Sequence, residues 1–460
     1  MGQKLAFTIC AMLLASSNLI AGNYSDKDVE KLLKRVEQLE KEVEQFKSTY
    51  EEDMDDLNER VDDNEFQASL NRIKWGGEFE ATVGNYWGRQ GSMSTTQGNI
   101  PGESFNNHNK WDLKLRLNLE SKINDRTKFT GRLSMYKSWA SQRSVNMMGD
   151  SATGRIYGGS SMFVERAYID YKLTNNLIVT IGRQPSNDGP GMNLKNNTPR
   201  KATYPSILFN GNADGVVLSY KLPKSVPNGA IRLAYGKGFQ WSDGEYGYLA
   251  NQNELKDLNV YGLFLETSLP FSKMGNNLMV LSGVMGRDFV GDPTGNDAKN
   301  NINLGNFRHY GLYFENNKAF NTNLNYFVSL AMSDPDSNNK SYNYNGYPMM
   351  LLNKRGYAYH IGTRYDFNNF KVGYEFNHGS KYWFSYTSGS YDPLNKIATR
   401  GSVNDFYLMY QIDMNQFLRA GYTDIDYKYT SSGWHMTVYG EPMPTDDYTK
   451  LLYLNYNVKY

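Results

Sequence analysis

The sequence predicts an all-β transmembrane barrel, antiparallel and up-and-down, of about sixteen strands, preceded by an N-terminal α-helical coiled-coil segment. Three observations predict it. Apolar and polar residues alternate with period 2 in stretch after stretch from residue 73 onward, the spacing of a strand with one greasy face and one wet face. The connections between these stretches alternate between short and long. The chain is also too polar for a bundle of membrane helices: mean hydropathy is −0.63, and beyond the N-terminus no apolar run approaches the ~20 residues a helical span needs. Aromatic residues make up 14% of the 460, with 36 Tyr and 22 Phe, and interfacial girdles would use them.

Taken in order, residues 1–22 have the layout of a secretory signal. Lys4 precedes the apolar run Leu5 to Ala15, then come Ser16, Ser17, Ala21 and Gly22, with cleavage expected near Ala21 or Gly22. The only cysteine, Cys10, lies in that run, so the mature chain carries no thiol for disulfides, nucleophilic catalysis or Cys-based metal sites. Residues 23–72 form the expected helix. Its apolar positions run Leu32, Val36, Leu39, Val43, Phe46, Tyr50, Met54, Leu57 and Val61 in steps of three and four, and no Gly or Pro interrupts Asn23 to Asn71. So narrow a stripe wants partners. Between Asp26 and Leu70 there are 16 acidic and 7 basic residues, whereas residues 71–460 hold 41 basic and 32 acidic, so helix and barrel carry opposite net charge.

Residues 73–460 are the expected barrel. Trp75, Phe79, Ala81 and Val83 alternate with Lys74, Glu78, Glu80 and Thr82; Trp111, Leu113, Leu115, Leu117 and Leu119 alternate with Asp112, Lys114, Arg116, Asn118 and Glu120. Further strands are expected near Thr127, Phe163, Leu177, Ala213, Ala230, Leu258, Asn277, Asn306, Asn323, Arg355, Phe370, Val403, Gln416 and Thr449, which makes sixteen. Leu452, Leu454, Tyr456, Val458 and Tyr460 share one parity and read as the strand that closes the barrel against the first. Turn residues such as Asn124–Asp125, Asn175–Asn176, Asn368–Asn369 and Met414–Asn415 mark the short connections. Eight long and seven short connections suit a barrel with both ends in the periplasm and an even strand count.

By Glu165–Tyr171 (ERAYIDY), Gly182–Gly191 (GRQPSNDGPG) and Tyr374–Trp383 (YEFNHGSKYW) the chain resembles a family of porin-like proteins of Gram-negative bacteria, described only as a domain of unknown function. The resemblance implies a signal peptide, a short coiled coil in the periplasm and an outer-membrane barrel. It also implies a passive diffusion channel for small hydrophilic solutes rather than an enzyme. Its motifs read as framework and name no substrate. The alternative is a structural or adhesive outer-membrane protein whose coiled coil contacts the cell wall.

With the apolar parity on lipid, the opposite parity sends Lys114, Arg116, Arg132, Arg166, Lys172, Arg232, Arg364 and Arg419 inward, faced by Glu78, Glu80, Asp112, Glu120, Asp170, Asp366 and Glu375. Arginine suits both buried pairing and contact with anions. The third long connection, Gln184 to Asn212, carries Lys195, Arg200 and Lys201 close to Arg183, against Asp188 alone. In porins the third loop narrows the pore, so the resemblance implies a basic constriction that concentrates anions. An outward-facing loop with its cations on lipopolysaccharide phosphates is the other reading. No cofactor or metal is expected, because His108, His309, His360, His378 and His435 are scattered one to a segment. The partners expected are outer-membrane lipid and lipopolysaccharide, two further copies of the chain in a homotrimer, and peptidoglycan through the coiled coil; nucleic acid is not among them.

Overall fold

The computed structural model describes residues 26–70, 73–95, 98–139, 162–239, 256–270, 276–291, 302–344, 346–387, 392 and 394–460. The expected signal segment lies outside them. The chain divides into two units at residue 72. In the first, α1 (Asp26–Leu70) is one continuous helix of 45 residues, about 68 Å long at 1.5 Å per residue. Its heptad residues Val36, Val43, Phe46 and Tyr50 are all exposed, from 51% to 75%. Pairs such as Lys34–Glu30 at 2.9 Å support it along the surface.

The second unit is a closed antiparallel barrel of sixteen strands. In chain order its first half is β1 (Ile73–Gln90), then the small hairpin β2 (Met93–Thr95) and β3 (Gly98–Ile100), β4 (Glu103–Lys122), β5 (Thr127–Ser138), β6 (Phe163–Lys172), β7 (Leu177–Gln184), β8 (Ala213–Lys221), β9 (Ala230–Phe239) and β10 (Leu258–Thr267). The second half comprises β11 (Asn276–Val290), β12 (Asn303–Ala319), β13 (Leu324–Ser337), β14 (Ser341–Tyr344), β15 (Tyr347–Leu351), β16 (Gly356–Phe367), β17 (Phe370–Gly379), β18 (Gly401–Gln411), β19 (Gln416–Tyr427), β20 (Met436–Val438) and β21 (Tyr448–Lys459). Strands β2, β3, β14, β15 and β20 stand outside the barrel wall. Every strand start read from the alternation falls within a few residues of an observed one, except that β4 begins at Glu103, ahead of Trp111.

Closure occurs where the terminal alternation expects it: β21 pairs with β1 in unbroken register from Glu78↔Lys459 to Arg89↔Tyr448. No strand of the wall is left with a free edge. Leu233, Leu263, Leu281, Leu312, Leu330, Ile361, Val372, Leu408, Leu452 and Leu454 face outward and are exposed. Tyr235, Tyr261, Tyr310 and Tyr357 ring the long-loop end, and Tyr171, Tyr220, Tyr365, Phe370 and Tyr410 the short-turn end. An apolar belt between two aromatic girdles is the exterior of a membrane-spanning barrel.

One irregularity shapes the interior. Arg132 of β5 pairs with Arg166 of β6, but the next residue, Leu133, pairs with Val164. Glu165 is the extra residue of a β-bulge, which lets two consecutive side chains turn the same way. Glu165 and Arg166 are both buried inside, while Val164 and Ile169 face out.

Candidate functional site

The third long connection, residues 185–212, crosses the inside of the barrel. Its entry is held at Asp188, which sits in the left-handed region at φ 60°, a conformation aspartate accepts more readily than most residues. Asp188 Oδ2 accepts from Arg132 at 2.7 Å, Arg166 at 3.1 Å and Arg116 at 3.3 Å. These cations come from three neighbouring strands and share further acids: Arg116 lies 3.1 Å from Glu165 and 3.5 Å from Glu78, and Arg132 lies 3.3 Å from both. Burial would push the Asp188 carboxyl up, but the guanidiniums of Arg116, Arg132 and Arg166 outweigh it and hold the group well below the ordinary aspartate range.

The tip of the connection is a single helical turn, α2 (Asn193–Asn196), which Asn197 ends at φ 51°. The Asn197 N–H caps Leu194 O locally at 3.2 Å, and donors from the wall supply the rest of what the C-terminal carbonyls can accept. Arg364 of β16 donates to Leu194 O at 2.6 Å, Arg419 of β19 to Lys195 O at 2.5 Å, and Lys459 of β21 to Asn196 O at 2.8 Å. Lys371 of β17 donates to Asn197 Oδ1 at 2.6 Å. Four cations from four strands thus hold the tip across the lumen, and the partial negative charge of a helix C-terminus favours them there.

The loop's own cations reach the wall in return. Lys201 donates to Glu78 at 2.6 Å. Arg200 forks onto Glu266, which also takes Arg232 at 2.6 Å. Lys195 pairs with Asp405, and the same carboxylate takes Lys396 from the seventh long connection. Lys396 lies 3.2 Å from Glu375, and His360 Nε2 lies 3.4 Å from Glu375. Burial lowers the Lys195 ammonium to about 8 even though Asp405 favours its charge; Lys396, facing both acids, is held well above the usual lysine value despite burial.

Residues 380–387 and 394–400 of the seventh connection pack on the third. Ser385 Oγ donates to Ile207 O at 2.6 Å, and Trp383 joins Ile207, Leu208 and Ile397 in an apolar cluster. Above it the sixth and eighth connections supply β14, β15 and β20, which form a three-stranded sheet. Phe289, Leu304, Phe307, Leu351, Phe384 and Met436 make a second apolar cluster. Arg400 is fully buried and donates to Trp383 O at 2.8 Å and Thr430 O at 2.9 Å. Burial with no carboxylate beside it brings its pKa down to about 9. These fillings leave a cavity of about 110 Å³ against the wall of β1, β4, β19 and β21, room for roughly half a dozen waters. Seven basic and five acidic side chains line it.

Of the residues singled out in the sequence, the cations Lys114, Arg116, Lys195, Lys201 and Arg419 and the acids Glu78, Glu80, Asp112 and Asp188 line this cavity. Lys114 lies 2.8 Å from Glu80. Arg132 and Arg166 stand behind it in the Asp188 group, and Arg200, Arg232, Arg364 and Glu375 in the pairings just described. Asp170 lies apart, accepting from Thr180 Oγ1 at 2.6 Å. Arg183 is a correction: it pairs in register with Ala167, two residues from the outward Ile169↔Ile181 pair, and lies 3.6 Å from the exposed Asp214. It therefore belongs to the outer face. The basic constriction expected from the loop's own charges is tempered for a related reason: Asp405, Glu266 and Glu78, on distant strands, meet Lys195, Arg200 and Lys201. Glu165, Glu266, Lys396 and Asp405 were not anticipated. For Glu165 the signal was present, since it opens the first of the stretches that carry the family resemblance.

A family model described as "Protein of unknown function (DUF3373)" matches residues 104–458. No curated protein matches the chain. Among solved structures, OprB of Pseudomonas putida at high pH aligns with 10% identity, covering 86% of this chain and 96% of that one at a TM-score of 0.48. In-vitro folded OmpT, an outer membrane protein of Vibrio cholerae, aligns with 12% identity, 84% and 97% coverage and a TM-score of 0.42. A trimer form of OmpT aligns with 12% identity, 84% and 99% coverage and a TM-score of 0.41. The fold rests on the strand order and register above, not on these likenesses.

Proposed function

We propose a channel function for this chain, which belongs to the DUF3373 family: passive diffusion of small hydrophilic solutes across the bacterial outer membrane, with anions preferred. The observation that carries the reading is the polar cavity beside the inward third loop, lined by seven basic and five acidic side chains. Sixteen strands enclose more space than wall side chains can fill, and the inward loops take up part of it while the cavity against β1, β4, β19 and β21 stays open. Lys114, Arg116, Lys195, Lys201 and Arg419 would line the route, with Arg132, Arg166, Arg200, Arg232, Arg364 and Glu375 holding the loops beside it. No covalent chemistry is needed. Asp170 lies at the short-turn end as a mouth residue in this reading.

The helix supports a homotrimer with α1 in the periplasm, because its exposed Val36, Val43, Phe46 and Tyr50 would be covered by two further copies. Basic groups on outer loops would meet lipopolysaccharide. One observation favours a second reading: the apolar clusters and the small three-stranded sheet resemble the filling of a plugged barrel. A structural or adhesive protein, its helix against peptidoglycan, would carry such a plug. Planar bilayers separate the two. Discrete conductance steps from the purified full chain support the channel, whereas a silent barrel that binds peptidoglycan supports the alternative.

A further inference from the structure

Two donors on the closing strand have capacity left for an acceptor in the cavity. Lys459 donates to Asn196 O at 2.8 Å and lies 5.1 Å from the centre of the Phe417 ring. Among the described residues no carboxylate comes within 4 Å of its ammonium. Asn457, two residues earlier and on the same inward face, is buried to 3% exposure, and its Nδ2 has no partner among the described residues. Both line the cavity. The nearby acids are already engaged: Glu78 is shared by three cations and Glu80 by two. A buried ammonium with no carboxylate partner, flanked by an idle amide donor, is costly until an acceptor arrives.

We propose that Lys459 and Asn457 form a binding subsite for a small oxyanion, a carboxylate or an inorganic oxyanion such as phosphate, at the β21 side of the passage. One oxygen takes the Lys459 ammonium and another the Asn457 amide, with Lys114 supplying field from β4. The inference rests on the channel reading only for its biological use; occupancy itself needs no current. It differs from a loop filter, because both donors belong to the closing strand and the third loop contributes only a carbonyl.

Titration calorimetry on the full chain folded in detergent tests it, with sodium phosphate and, separately, sodium acetate as probes against a sodium chloride background. Saturable binding of either probe is expected, weakened roughly tenfold or more in Lys459→Gln, as loss of a charge-assisted hydrogen bond implies, and weakened also in Asn457→Leu. Lys459→Arg keeps the charge and is expected to bind, which guards against a misfolded variant. Which probe binds decides between the carboxylate and inorganic sources. No saturable heat with either probe, or affinity unchanged in both Lys459→Gln and Asn457→Leu, overturns the subsite. Bilayer recordings on the same preparation keep the two ideas apart: a conducting barrel without binding defeats the subsite alone, and binding in a silent barrel defeats the channel alone.

Discussion

Replacing Asp188 by Asn removes one negative charge from the point where the third loop enters the barrel and alters little else. Asparagine fills the same volume and tolerates φ 60° as well as aspartate does, so the backbone is not newly strained. The charge faces three guanidiniums at 2.7, 3.1 and 3.3 Å. At an effective dielectric of about 20, each such pair is worth roughly 4 kcal/mol before desolvation is subtracted. Breaking a buried pair costs about 3–5 kcal/mol, and because the Asp188 side chain is 19% exposed the lower end, about 3 kcal/mol, applies. That raises the population of loop detached at its entry roughly a hundredfold. Hydrogen exchange followed by mass spectrometry reads it directly: amides in residues 185–212 lose protection in Asp188→Asn, while Asp214→Asn on the outer face leaves them unchanged. Equal protection of residues 185–212 in the wild type and in Asp188→Asn would refute the claim that this carboxylate holds the loop.

Changing Lys195, Arg200 and Lys201 together to Ala leaves Asp405, Glu266 and Glu78 short of a partner, so reversal potentials in a KCl gradient should move toward cation preference, and more at low salt than at 1 M, where the screening length is about 3 Å; an unmoved potential would place the filter on the wall. Crosslinking the full chain should give trimers that disappear when residues 23–70 are removed, and trimers in both forms would assign assembly to the barrel instead. Acid should loosen the third loop: the folded pKa of Asp188 is depressed, so its contribution is complete above the ordinary value near 3.8 and fades as pH falls toward the lower folded value. Exchange of residues 185–212 should therefore rise below pH 4 in the wild type and show a smaller rise in Asp188→Asn.

The wall was legible because each strand repeats a local rule. Leu113, Leu115 and Leu117 on one parity and Lys114 and Arg116 on the other leave β4 one face for lipid, and the same logic holds along the wall wherever the register is regular. The filling was not, because it depends on residues far apart in sequence. Nothing near Lys195 announces Asp405, 210 positions later. Parity also fails at a bulge, so Glu165 could not be placed, and nearness in sequence misleads at a loop, where Arg183 was grouped with the loop's cations although its strand turns it to the outer face. A trace of the interior was nevertheless written in the chain: the stretches 165–171 and 182–191 that carry the family resemblance meet in space, with Arg166 donating to Asn187 O at 2.7 Å.

The bulge at Glu165 has a meaning in terms of density. A regular strand can offer its lumen one side chain for every two residues, about one per 6.6 Å of rise. β6 offers two in succession. If Glu165 were removed and the strand healed, Val164 would still face lipid, Arg166 the inside and Ile169 lipid, so the wall loses nothing by its absence. The inserted residue serves only the interior. It delivers an additional carboxylate where three arginines crowd together, and it relieves the strand of the usual choice between a charge that is needed and a register that must be kept.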